Sequence, residues 1–252
     1  MKNSFLSVIA AFAIILTGCG NGETTQETVP EQEAENEFVS IFNGQDLSGW
    51  VGDERIWSVE NGAIIGETSE DNPTESNTFL IWDGGEPSDF ELRFEYRFII
   101  VSDDEYGNSG IQIRSEQFTD EDNPDLIYRV RGYQPDFAIS DWIPGIHYEE
   151  DGRGILARRG QSVLIDADGE SQEERFAEED ELGEYINIHS DWNDYRVYAN
   201  EDTIRTYINN QLMHELIDQS PEAQHEGILA FQVHSGPPMR VELRNVELKE
   251  LN

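Results

Sequence analysis

Lysine is almost missing from this 252-residue sequence: Lys2 and Lys249 are the only two, and arginine supplies the other 14 of 16 basic residues. Against them stand 53 Asp and Glu, for a formal net charge of −37 and a pI near 4.1. A chain so poor in cations cannot displace counterions from a phosphate backbone, which excludes nucleic acid as a partner. It will not adsorb to anionic lipid by charge either. Cysteine occurs once, at Cys19, so neither an intrachain disulfide nor a paired-cysteine zinc motif can form. The Gly-rich phosphate loop, the HExxH helix and the GxSxG elbow are all absent. No amphipathic helical stretch of twelve or more residues, no internal repeat and no second domain are evident.

The acidity itself carries information. Uncompensated carboxylates repel one another, and dissolved salt screens that repulsion. The composition therefore points to a halophilic protein from a saline habitat. Aliphatic, aromatic and Cys residues at 37% are enough to build a core.

The N-terminus reads as an address. Met1 and Lys2 form a short positive region, and the apolar stretch from Phe5 to Leu16 is too short to span a bilayer. Leu16, Thr17, Gly18 and Cys19 follow, in a pattern that resembles the bacterial lipoprotein signal, cut before a lipid-modified Cys. The expected organisation is a signal peptide over 1–18, a lipidated Cys19 with an acidic flexible tether over 19–37, and one folded domain over 38–252. Acyl chains on Cys19 hold such a protein on a membrane of the bacterial cell envelope, periplasmic or cell-surface, and the lipid anchor is its only membrane contact. The tether, with Glu23, Glu27, Glu31, Glu33, Glu35 and Glu37 and almost nothing apolar, cannot offset its ordering entropy.

From Phe38 onward the pattern alternates with period two. Leu92, Phe94, Tyr96 and Phe98 fall on one face; Glu91, Arg93, Glu95 and Arg97 fall on the other. Ile111 and Ile113 oppose Gln112 and Arg114, and Leu229, Phe231 and Val233 oppose Ala230, Gln232 and His234. Asn209-Asn210 predicts a tight hairpin. The phase slip between Leu243 and Val246 predicts a β-bulge at Arg244-Asn245. The acid-rich stretch 166–184 reads as a solvated loop with one helical turn around Glu173 to Glu179. Many short strands without helices give an all-β sandwich or jelly roll.

The stretch from Arg129 to Arg159 is the richest in chemistry. If 130–136 is extended, Gln134 and Asp136 share one face, and Pro135 places them at an edge or a strand end. A polar strand face beside aromatics such as Trp142 suits a sugar: rings stack on its apolar face while Arg, Asp and Gln bond its hydroxyls. For Arg114, Arg131 and Arg153, pairing with the many carboxylates is an equally good reading. The five His show no metal-ligand spacing, and His234 stands out because it shares a face with Gln232.

Several motifs carry a resemblance. They are Phe42 to Trp50 (FNGQDLSGW), Trp57 with Asn61-Gly62, Asp89 to Leu92, Asn108 to Arg114 (NSGIQIR), Gly132 to Asp136 (GYQPD), Arg153 to Leu156, Trp192-Asn193 and Arg244 to Val246. In this order, over residues 38–250, they resemble the bacterial 3-keto-glycoside lyase/hydratase, or 3-keto-disaccharide hydrolase, domains. The resemblance implies a concanavalin A-like jelly-roll β-sandwich. It also implies an oligosaccharide or glycoside substrate already oxidised at C3 by a separate sugar 3-dehydrogenase. The implied chemistry is removal of the acidified C2 proton, departure of the glycosidic oxygen from C1 and addition of water, a net hydrolysis. By motif position and residue type, Asp136 or Glu150 is the base and His234 or Tyr133 protonates the leaving oxygen. Arg114 and Arg153 stabilise the enolate, while Gln134, Gln232 and Trp142 bind the sugar. The residues identify no cofactor; a divalent metal on Asp136, Glu150 or His234, polarising the ketone, stays open. The alternative is a non-catalytic carbohydrate-binding module at the cell surface. Two positions depart from the family pattern: Asn209-Asn210 in place of Asn-Gly, and His147, at the expected site rim, in place of an apolar residue.

Overall fold

A computed structural model describes residues 37–119 and 126–251. The signal segment, Cys19 and nearly all of the expected tether lie outside the described residues. Strands follow the alternation in chain order: β1 (Val39–Ser40), β2 (Trp50–Val51), β3 (Trp57–Glu60), β4 (Ala63–Glu67), β5 (Thr78–Trp82) and β6 (Phe90–Ile99). Next come β7 (Asn108–Phe118), β8 (Arg129–Ala138), β9 (His147–Glu150), β10 (Gly154–Ala157), β11 (Gln161–Ile165) and β12 (Ser171–Arg175). A short helix α1 (Glu179–Gly183) precedes β13 (Asn193–Asn200), β14 (Thr203–Ile208), β15 (Gln211–Asp218), β16 (Ile228–Val233) and β17 (Arg240–Glu250).

Two sheets form the sandwich. The ten-stranded sheet runs β12-β11-β15-β14-β13-β6-β17-β4-β3, with β1 paired on β17; the seven-stranded sheet runs β10-β9-β8-β7-β16-β5-β2. All the pairings are antiparallel except that of β11 with β15. The apolar phases of the two sheets meet between the layers. Phe94 stacks on Tyr195 at 4.9 Å between centroids, meets Phe231 edge-on at 5.0 Å, and Tyr96 lies 4.4 Å from Phe137. Burying such a side chain contributes about 1.5–3 kcal/mol. The polar phase of β6 faces outward into ion pairs, Arg93 with Glu91, Arg97 with Glu242 and Arg244 with Glu95, which is where much of the scarce cation supply goes.

The two turn expectations hold. Asn209 and Asn210 join β14 to β15 with φ of 48° and 64°, the left-handed pair that a two-residue hairpin requires. The β17 register slips between Arg244 and Glu247, with Asn245 at φ 53°.

Three expectations are corrected. The acid-rich stretch holds a strand, β12, fully exposed along SQEER and paired with β11 at the border of the ten-stranded sheet; with both faces in water, its strand carries no apolar phase to read. Its one helical turn falls later, at Glu179–Gly183. Pro135 is neither at an edge nor at a strand end: β8 runs between β7 and β9, and the β7 register passes from Gly110↔Asp136 to Ile113↔Tyr133 across the proline, so pairing lapses where the N–H is missing. His147 is in the core rather than on a rim, because it follows the inward phase of β9 and contacts His214.

Candidate active site

Strand phase decides what faces away from the ten-stranded sheet. On β8, Tyr133 and Phe137 point inward, so Gln134 and Asp136 point outward. Neighbouring β7 presents Gln112 and Gly110, β16 presents Gln232 with His234 just beyond its end, and β9 presents Tyr148 and Glu150. Gln134, Asp136, Gln232, His234, Tyr148 and Glu150 meet in a cleft of about 300 Å³, closed by Asn77, Asn108, Asp151 and the Trp142–Ile146 loop, where Trp142 is half exposed at the mouth; Gln112 and Gly110 support it from behind Gln134 and Asp136. Its size lies at the lower end of the roughly 300–1,000 Å³ of small-molecule sites. A depression of about 490 Å³ on the outside of the ten-stranded sheet is larger, but its two arginines, Arg93 and Arg196, are both engaged by Glu91.

Of the site residues expected from sequence, Asp136, Glu150, His234, Gln134, Gln232 and Trp142 come together in the cleft. Tyr133, Arg114 and Arg153 do not. Tyr133 is buried on the inner face, donates to Asp218 Oδ2 at 2.6 Å, and burial raises its phenol far above the ordinary range. Arg114 is also buried; it donates to the carbonyls of Ser88 and Glu201 at 2.8 and 2.7 Å and pairs with Asp89 at 3.0 Å, tying loops together. Arg153 chelates Glu149 at 2.8 Å and reaches Asp218 at 2.7 Å. In a chain with so many carboxylates, these arginines are taken by internal partners.

Both cleft carboxyls are perturbed. Burial pushes Asp136 well above the usual carboxylate range, against the hydrogen bond from Gln134, and the nearby Glu150 adds to the rise. Burial also raises Glu150; the bond from Asn77 opposes it, Asp151 reinforces it, and His234 and Arg129 oppose it. Burial pushes Asp136 further up than Glu150, so of the two Asp136 holds a proton more firmly and Glu150 is the readier base. Asn77 Nδ2 donates to Glu150 Oε1 at 2.6 Å and its Oδ1 accepts from Ser235 N at 3.0 Å, so Asn77 fixes the Glu150 carboxylate. His234 Nδ1 lies 2.6 Å from the Ser235 carbonyl, which can only accept. Nδ1 therefore carries a hydrogen, and Nε2 is the nitrogen left for a ligand. Tyr106 Oη packs 2.9 Å from the same Nδ1.

Among the described residues, no group of three or more His, Cys, Asp and Glu is placed to hold a metal ion. Sequence reasoning missed Asn77, Asn108, Tyr148, Asp151 and Gln112. Tyr148 was accessible through its phase with Glu150, and Gln112 through its opposition to Ile111; Asn77 precedes its strand in a loop and carries no periodic signal.

A family model of the 3-keto-alpha-glucoside-1,2-lyase-like domain matches residues 37–249. Among solved structures, a "putative glycosyl hydrolase" from Parabacteroides distasonis aligns with a TM-score of 0.53 at 16% identity, covering 89% of this chain and 99% of that one. The carbohydrate-binding module CBM66 from Bacillus subtilis aligns with a TM-score of 0.50 at 13% identity, covering 80% and 96%. A Bacillus subtilis protein with a galectin-like fold gives 0.51 at 9% identity, covering 81% and 90%. These likenesses establish the jelly-roll sandwich. No curated protein matches the chain.

Proposed function

Because the chain belongs to the 3-keto-alpha-glucoside-1,2-lyase-like domain family, we propose that it cleaves 3-keto-glycosides by elimination and rehydration. The observation that supports this reading most is the cleft, where two buried carboxyls of raised pKa, four amide side chains and a histidine meet. Glu150, ionised and oriented by Asn77, takes the C2 proton. The C–H electron pair becomes the C2=C3 bond of an enolate. Collapse of the enolate expels the glycosidic oxygen from C1, and the imidazolium form of His234 gives it a proton from Nε2, keeping the Nδ1 hydrogen on the Ser235 carbonyl. Water then adds to the 2-hydroxy-3-keto-glucal. Trp142 supplies the stacking surface, and Gln134 and Gln232 the hydrogen bonds. The ketone must come from an oxidoreductase acting earlier, a sugar 3-dehydrogenase. The domain works at the cell envelope, anchored through acylated Cys19.

The test is direct. The protein is expected to cleave a 3-keto-disaccharide and leave the parent disaccharide intact. Binding of both sugars without cleavage of either would overturn the enzyme reading in favour of a binding module.

Two further outcomes are expected. Among the described residues no Lys or Arg lines the cleft, while Glu150 and Asp151 do. A 3-keto-glycoside bearing a uronic acid is therefore expected to have a kcat/KM about tenfold below that of the neutral sugar, with the gap narrowing as salt screens the repulsion. Equal values at low salt contradict this. The second concerns Gly110, opposite Asp136: a Cβ there would lie 2.6 Å from both Asp136 Oδ1 and Gln134 Cγ. Gly110→Ala is expected to displace both and to lower kcat about a hundredfold, with the circular dichroism of the sheets retained. Wild-type turnover would remove the claim that these two side chains must sit where they do.

A further inference from the structure

Enolisation places negative charge on the C3 oxygen, and a site for it needs donors aimed at that oxygen. Arginine cannot supply them here, since Arg114 and Arg153 are held elsewhere and, among the described residues, no Lys or Arg lines the cleft. A row of buried amides takes that place. Ser115 Oγ donates to Gln112 Oε1 at 2.6 Å, and Gln112 Nε2 donates to Gln134 Oε1 at 2.6 Å. Gln134 Nε2 then donates to Asp136 Oδ1 at 2.7 Å and to Gln232 Oε1 at 3.4 Å. Gln112, Gln134 and Gln232 are at most 2% exposed and Asp136 is 6% exposed. The row ends at Gln232 Nε2, a buried donor with no partner among the described residues, on a side chain that lines the cleft. An unpaired buried donor is unfavourable until a ligand oxygen meets it.

We propose that Gln232 Nε2 and the Asp136 carboxyl, on the two side chains whose oxygens share Gln134 Nε2, form the pocket for the substrate's C3 oxygen and stabilise the enolate there. This role rests on the keto-sugar reading and extends it by naming the atoms that recognise the ketone. Asp136 Oδ1 accepts from Gln134, which leaves Oδ2 to donate; burial favours the protonated form of that carboxyl, the same device as an uncharged carboxylic acid in a ketosteroid isomerase oxyanion hole. As Glu150 takes the C2 proton, the carbonyl π pair moves onto the C3 oxygen and both hydrogen bonds tighten; neither donor gives up its proton. Gln112, Gln134 and Ser115 are positioning residues that act through Gln232 and Asp136.

The experiment uses the 3-keto form of 1,5-anhydroglucitol, which has the ketone but no leaving group at C1, labelled with 13C at C3. In deuterated water, the wild type is expected to exchange the C2 hydrogen, and the bound carbonyl is expected to move to lower stretching frequency. In Gln232→Met, exchange is expected to fall about 10²–10³-fold, with the carbonyl shift reduced and Kd changed by less than tenfold. Asp136→Asn keeps a donor and is expected to retain more exchange than Asp136→Ala, which does not; this comparison holds even if Gln232→Met fails to fold. Exchange and carbonyl frequency in Gln232→Met equal to wild type would overturn the proposal while leaving the keto-sugar reading intact. Equal exchange in the Asn and Ala variants would do the same for Asp136. No exchange by the wild type would overturn the keto-sugar reading itself, and this role with it.

Discussion

Glu150→Gln is expected to lower kcat on a 3-keto-disaccharide by roughly a thousandfold, the scale on which a positioned general base acts, while KM changes little. The substitution isolates the proton acceptor. Glutamine has the same shape, and its Oε1 still accepts from Asn77 Nδ2, the bond that orients the native carboxylate. Stability is expected to move the other way. Burial raises the folded-state pKa of Glu150 above its unfolded value. Its contribution to stability is therefore full at low pH and is lost as pH rises through the folded value, because the unfolded state then binds fewer protons. At neutral pH the ionised carboxylate strains the fold, and the amide relieves that strain. The melting temperature of Glu150→Gln is expected to exceed the wild type's at pH 8 and to match it at pH 4. Wild-type turnover in this variant, measured by product formation, would contradict the assignment of Glu150 as base.

The second large effect is acid instability set by two core histidines. His147 Nδ1 lies 3.1 Å from His214 Nε2, and His214 Nδ1 lies 3.0 Å from the Gly145 carbonyl. The carbonyl accepts only, so His214 carries its hydrogen on Nδ1 and accepts at Nε2 from His147 Nδ1–H. His147 Nε2 is then a bare nitrogen, buried without a partner. Burial lowers His214 to about 4, against the bond to Gly145. Burial, then His214 and Arg153, hold His147 well below the ordinary imidazole range. Histidines with depressed folded-state pKa values bind protons mainly when unfolded, so their contribution is complete above pH 6.5 and is lost as pH falls toward 4. For His214 alone the loss approaches about 3 kcal/mol, a large share of a typical stability. Asp136 and Glu150 act with the opposite sign over this range, so the quantity to measure is a difference. Urea unfolding of wild type and His147→Leu, at high salt, is expected to show the leucine variant gaining relative stability as pH falls from 6.5 to 4. A difference that does not change with pH would refute this.

Much of the fold was legible because a half-buried strand writes its burial into alternate positions. Leu92 to Phe98 on β6 and Gln134 with Asp136 on β8 are placed as their phases required. The same rule had already put Tyr133 on the face opposite Gln134, where a residue proposed to act beside Asp136 cannot reach the cleft. Its OH is engaged by Asp218, a partner 85 residues away in sequence. The arginines were illegible for a related reason. Whether Arg114 and Arg153 are free to meet a ligand depends on which of many carboxylates folding brings beside them, and local pattern holds no record of that. β12 escaped notice because a strand with both faces in water has no apolar phase. Asn77 escaped because its importance lies in a bond to Glu150, 73 residues along the chain.

The central claim is that bond cleavage runs through an enolate generated at C2. The most direct measurement is NMR of a 3-keto-disaccharide and its unoxidised parent, incubated with the protein in deuterated water. The account predicts cleavage of the keto-sugar alone, with one deuterium at C2 of the released 3-keto monosaccharide. Cleavage of the parent sugar, or a released 3-keto monosaccharide that keeps its original C2 hydrogen, would contradict it and point to direct displacement at C1.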